Sequence, residues 1–232
     1  FGVYVLIQDR RSWPHRVFFL LCLSVGFWNL FAMLTLSATT ERQFWLWFRL
    51  GSSFLILYVA VLFHFALVLT ESPRARWLAV AAYAAALPIH YANLTGFYTF
   101  KAAALINGHW VITPNTGSPW FGLWLLYAHG TMFAAALIIL RWGRRSTSRR
   151  IRVQARIVGW SFLGFLLAGS FCDFIGTRRL GLPPLSPLIF AACLVPISYA
   201  MVHYRFLAIT HESVSRDLLQ SMDVVVMLLD QE

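Results

Sequence analysis

The sequence predicts an all-α membrane protein. The expected architecture is a bundle of seven transmembrane helices, the first truncated. An outer β-hairpin lies between helices four and five, and a cytoplasmic signalling helix follows helix seven. Three observations carry this reading. The 232 residues are 59% hydrophobic and 12% charged, with mean hydropathy +0.66. A soluble domain has about 25% charged residues and about 45–50% apolar ones. Apolar runs long enough to span a bilayer recur along the chain, and its cations gather in alternate connections. This composition argues against a soluble globular enzyme, a disordered chain or a disulfide-knotted secreted domain.

Taken in order, residues 1–7 are apolar but too short to span, and they end at a charged turn around Asp9, Arg10 and Arg11. They read as the stump of an earlier helix. The chain has no initiator Met and opens within an apolar run, so a longer parent protein is expected. Full spans follow at roughly 17–38, 44–70, 78–98, 120–142, 157–175 and 184–204. Counting the stump, these are helices one to seven.

Charge sets the expected orientation. Of the 19 cations, 18 are Arg and one is Lys101. Fourteen lie in the connections after helices one, three and five and in the C-terminal tail, with the densest group at 141–156. Arg42, Lys101, Arg178 and Arg179 lie on the other side, and Arg49 lies inside helix three. Positive residues stay on the cytoplasmic side, so the N-terminus is expected outside and the C-terminus in the cytoplasm of a bacterial inner-membrane protein. The net charge of +10 then reflects orientation against the lipid bilayer rather than nucleic-acid binding.

The longest connection on the outer side joins helices four and five. Asn107-Gly108 suits a type I′ turn, flanked by Ala104-Leu-Ile and His109-Trp-Val-Ile, which is a hairpin signal. Such a hairpin could lid the mouth of the bundle. Residues 205–222 are amphipathic, with Val214, Leu218 and Met222 near one face, and are expected to form a signalling-helix linker of a parallel homodimer. Residues 223–232 carry a β-branched run that reads as the start of a further domain. The division is therefore 1–204 membrane domain, 205–222 linker and 223–232 domain start.

This order of features resembles the N-terminal seven-transmembrane sensor region of bacterial histidine kinases, also found ahead of diguanylate cyclases. The matching residues are Trp28-Asn29-Leu30, Arg49-Leu50-Gly51, Phe63-His-Phe-Ala-Leu67, the hairpin, and Arg152-Val-Gln154. The closing Tyr204-Arg-Phe-Leu-Ala-Ile-Thr and the run through Asp230 look like the join to a PAS domain. The resemblance implies a sensory input module with C-terminal PAS and kinase or cyclase domains as partners. It implies no catalysis within this chain.

Ionisable and polar groups within spans are the candidate site, because each is costly there and faces the bundle interior. Arg49 and Asp173 lie at similar depth and could pair or receive an anionic or carbonyl group. Asn29, His90, Tyr91, Asn93, Tyr127, His129, Trp124 and Trp45 could line a polar-aromatic pocket open to the outside. The expected ligand is small and amphiphilic or carbonyl-bearing. The competing structural reading is a set of interhelical hydrogen bonds. No resident cofactor or metal site is expected. His64, His90, His129 and His203 keep a haem-bearing electron carrier open as an alternative, alongside a transporter and a purely structural anchor. Retinal is excluded because helix seven lacks the Lys that a Schiff base needs. Gly164 and Ala168 form a small-xxx-small step that would allow close helix contact.

Overall fold

A computed structural model describes residues 1–96, 100–106, 109–172 and 185–203. Among them are seven helices and two strands: α1 (Gly2–Gln8), α2 (Trp13–Leu36), α3 (Glu41–Leu69), α4 (Ala75–Thr95), β1 (Phe100–Ile106), β2 (His109–Pro114), α5 (Pro119–Arg145), α6 (Arg149–Phe171) and α7 (Ser186–His203). The expected linker and domain start at 205–232 lie outside the described residues, as does Asp173.

Local chemistry explains where the helices begin. Asp9 Oδ1 accepts from the amides of Arg11 at 3.0 Å and Ser12 at 3.1 Å, turning the chain before Pro14 opens α2. Thr40 caps α3 by accepting from the Gln43 amide, while Gln43 Oε1 accepts from the Thr39 amide and hydroxyl. Ser118 caps α5, with Pro119 as its first residue. Helix α6 begins eight residues before its expected span, since nothing in Arg149–Arg156 breaks a helix once Ser148 has turned the chain. Its first turn holds Arg149, Arg150 and Arg152, which oppose the helix dipole, whereas Arg144 and Arg145 end α5 in the favourable sense.

Helix α3 is the centre of the bundle and packs against α2, α4 and α5; α7 packs against α6, α2 and α1. The C-terminal ends of α2, α4 and α6 share one end of the bundle with the N-terminal ends of α3, α5 and α7, because residues from all six ends line one cavity. Phe18, Leu21, Leu62, Phe65, Ile139, Val158 and Ile197 are among the fully buried side chains, and they form one continuous apolar core. The close approach of α5 and α6 occurs where a Cβ on Gly143 would meet Ala155 and one on Gly159 would meet Leu140. The Gly164–Ala168 step does not make this contact: both residues are exposed, and space beside Gly164 is open.

Helices α2, α3, α5 and α6 are long and apolar enough to cross a membrane. Large apolar side chains point away from the protein, including Met33, Leu126, Trp160 and Leu167. Water would not tolerate such a surface, but lipid does. Strands β1 and β2 pair antiparallel, from Phe100 opposite Pro114 to Ile106 opposite His109, with an irregularity between Phe100 and Ala102. The expected Asn107-Gly108 turn lies outside the described residues.

Candidate functional site: an aromatic cavity beneath the β ribbon

A cavity of about 220 Å³ lies at the β-ribbon end of the bundle. Its walls come from α2 through α7 and from both strands. Trp28, Phe44, Phe48, Phe121, Trp124, Phe165 and Phe190 make them largely aromatic. Thr35, Ser52, Asn93, His129, Ser170 and Ser186 add a few polar groups. An apolar enclosure with a few convergent polar groups is the usual form of a small-molecule site.

The ribbon roofs this cavity. Trp110 on β2 donates its indole N–H to the Ala38 carbonyl just beyond α2 at 2.8 Å. Its ring lies 5.3 Å from that of Phe44. Phe100 on β1 packs edge-on against Phe48 at 5.2 Å and reaches Phe121 and Trp124. Six aromatic residues on two helices and two strands are thus in contact above and within the cavity. Pairs of this kind add about 0.5–1.5 kcal/mol each beyond area burial.

Two polar groups on the walls have defined partners. Asn93 Nδ2 donates to the Arg49 carbonyl at 2.9 Å and to Ser53 Oγ at 3.2 Å. The carbonyl accepts only, so the amide nitrogen must face α3 and Oδ1 is left as an acceptor. On the facing wall, His129 Nε2 lies 2.9 Å from Ser170 Oγ on α6, and Nδ1 lies 3.2 Å from the Leu125 carbonyl. Ser170 also donates to the Leu166 carbonyl at 2.6 Å. Its single proton has two acceptors, Leu166 and His129 Nε2. If Ser170 gives that proton to Leu166, His129 Nε2–H donates to Ser170. If Ser170 gives it to His129, Nδ1–H donates to Leu125. A ligand bonded to either side chain would select one arrangement.

Of the residues expected from sequence, Asn93, Trp124 and His129 line the cavity, and Asn29, Trp45, Arg49, His90, Tyr91 and Tyr127 are not among its lining residues. Asn29 Nδ2 donates to Val25 within its own helix at 2.9 Å. Trp45 donates to Glu41 Oε1 at 3.1 Å. Tyr127 is buried in the core and donates to the Ile56 carbonyl at 3.3 Å. Tyr91 is 65% exposed, on the outer face of α4, and His90 is half-buried beside it. The Arg49 guanidinium lies against Gly96, the left-handed residue that ends α4 (φ 78°). A cation there is favoured by the unpaired carbonyls and negative dipole end of α4. The expected Arg49–Asp173 pair involves a residue outside the described part of the chain.

The haem-ligand histidines are dispersed. His129 lines the ribbon-end cavity, while His64 lines a cleft at the opposite end and contacts Tyr83. The side chain of His203 is not described. No group of three or more His, Cys, Asp or Glu positioned for a metal occurs among the described residues. Cavity contributors that the sequence reading missed include Phe44, Phe48, Trp110, Phe190, Ser52 and Ser170.

The family model of the N-terminal 7TM region of histidine kinase matches residues 1–210. The chain belongs to that family. It is a membrane protein and a sensory input region of the histidine-kinase type. No curated protein and no solved structure matches it. Within the family match, the cavity is formed entirely by residues of the membrane region.

Proposed function

We propose that the ribbon-end cavity is the ligand site of this histidine-kinase input region. The observation that carries the proposal is the enclosure itself: an aromatic chamber of about 220 Å³ containing Asn93 and the His129–Ser170 pair. It suits a small, mainly apolar ligand with at least one polar group. Trp124, Asn93, His129 and Ser170 are the proposed contacts, and Arg49 holds the end of α4 beside them.

The proposed bundle of seven helices, the first truncated, sits in a bacterial inner membrane with the ribbon end outside and the Arg-rich end in the cytoplasm. The apolar side chains that α4 and α7 turn outward support spans there too, as Leu87 is 68% and Leu188 65% exposed. The ligand acts by differential affinity for two arrangements of the helices. Helix α7 is the proposed output. Ser186, Pro187 and Phe190 line the cavity at its start, and Phe190 packs edge-on against Trp28 at 4.4 Å and Tyr58 at 4.9 Å. A ligand that displaces Phe190 changes the packing of α7 against α2 and α3. The amphipathic stretch 205–222 would carry that change, in a homodimer, to PAS and kinase or cyclase domains.

The test is ligand-dependent stabilisation of the purified membrane region by a small-molecule library. Compounds that raise the melting temperature of the wild type should not do so for His129→Phe. Equal stabilisation of both proteins would remove this cavity as the site.

A further inference from the structure

A second cleft, of about 470 Å³, opens at the opposite end of the bundle, between the ends of α1, α2, α3 and α4. Leu6, Val17 and Leu20 give it an apolar floor, with Arg10 and Arg16 on its rim. Both arginines are exposed. Arg16 donates its Nε–H to the Arg10 carbonyl at 2.8 Å. That bond fixes the stem of Arg16 and uses its Nε–H rather than the four N–H donors of its terminal amino groups. Trp13, 54% exposed, stands beside them with its ring 6.0 Å from that of His64.

Deeper in the cleft, His64 Nδ1 lies 3.3 Å from the Tyr83 hydroxyl. If the hydroxyl donates to Nδ1, the imidazole proton sits on Nε2. If Nδ1–H donates to Tyr83, the hydroxyl proton is spare. In either case one donor hydrogen is left for a ligand. His64 lies five residues before the end of α3, about one and a half turns below the rim.

We propose that this cleft binds one anionic phospholipid. The phosphate sits between Arg10 and Arg16, an ester carbonyl takes the spare proton of the His64–Tyr83 pair, and an acyl chain lies along Val17 and Leu20. The order from rim to floor is cationic, then hydrogen-bonding, then apolar, which is the order of groups in a glycerophospholipid. Charge complementarity selects the anionic class. Arg10, Arg11, Arg16, Arg74 and Arg76 gather at this end, against Asp9 and Glu71. Asp9 is engaged in the turn before α2. Basic pockets between membrane helices bind lipid phosphates in this way. The proposal stands independently of the ribbon-end cavity.

The experiment is native mass spectrometry of the full chain released from nanodiscs of equal phosphatidylglycerol and phosphatidylcholine. The wild type should retain phosphatidylglycerol preferentially. Arg10→Gln with Arg16→Gln should lower that retention about tenfold or more. Arg144→Gln with Arg145→Gln removes equal charge from the end of α5, outside the cleft, and should retain the lipid. Excess inorganic phosphate should not displace it. Equal retention of both lipids, equal loss in both double variants, or displacement by phosphate would each overturn the proposal. If the Arg10/Arg16 variant does not fold, a photoactivatable phosphatidylglycerol tests the wild type. Crosslinks confined to residues 6–20 and 64–83 support the site, and crosslinks elsewhere overturn it.

Discussion

The side-chain amide of Asn93 on α4 donates to the backbone carbonyl of Arg49 on α3 at 2.9 Å. The same carbonyl accepts from Ser53 Oγ at 2.8 Å. One polar side chain thus ties two helices together at the cavity wall and keeps its own carbonyl oxygen for another partner. Structural and ligand-binding roles meet in this residue, and a change here separates them by its size.

Asn93→Leu removes both interhelical bonds. In membrane helices such bonds contribute about 0.6–2 kcal/mol. The expected result is a modestly lower unfolding midpoint in a denaturant titration, with helicity retained. Asn93→Asp keeps an acceptor but loses the donor, and should destabilise at least as much because two carbonyl-type oxygens would then face each other.

Gly96 should tolerate substitution poorly. It ends α4 at φ 78°, and a Cβ there would lie 2.9 Å from Arg49 Nη2. Gly96→Ala is expected to cost about 1–2 kcal/mol from the left-handed backbone alone. Arg49→Ala combined with Gly96→Ala should cost less than the sum of the two single changes, because the second loss includes a clash that the first removes. Strict additivity in thermal unfolding would show that the guanidinium does not rest on this helix end.

Trp110→Phe keeps an aromatic ring against Phe44 but deletes the bond to the Ala38 carbonyl. A hydrogen bond of this kind has a net value of about 1 kcal/mol. The expected readout is local: faster amide hydrogen exchange over residues 100–114, with the core of α3 unchanged. Faster exchange throughout the bundle would contradict the view of the ribbon as a separate roof.

Much of the fold was legible in the sequence because lipid imposes a coarse rule. Apolar runs must be helical, and their lengths follow from bilayer thickness. The strand pair β1–β2 falls where the Asn107-Gly108 turn signal stood, whereas the capped helix starts at Thr40 and Ser118 were passed over because hydropathy marks only the apolar run. The start of α6 was harder to see, since hydropathy registers the apolar span and not the charged turns that extend it. The site was legible only in part. Depth along a span can be read from sequence, which brought Asn93, Trp124 and His129 to one level. Rotation about a helix axis cannot be read when every face is apolar, so Tyr91 and Asn29, at similar depth, gave no sign of facing elsewhere. Ser170 was missed because a serine in a membrane helix ordinarily bonds its own backbone, as this one also does. Phe44, Phe48 and Trp110 were missed because aromatic residues abound in this chain, and only the fold shows which of them meet.

The most direct test of the ribbon-end cavity as a ligand site is mass spectrometry of small molecules that co-purify with the wild type and with Ser52→Phe, which places a ring in the cavity from α3. A compound present in the wild type at near one per chain and absent from a folded Ser52→Phe protein is the predicted result. Equal occupancy in both proteins would contradict the account.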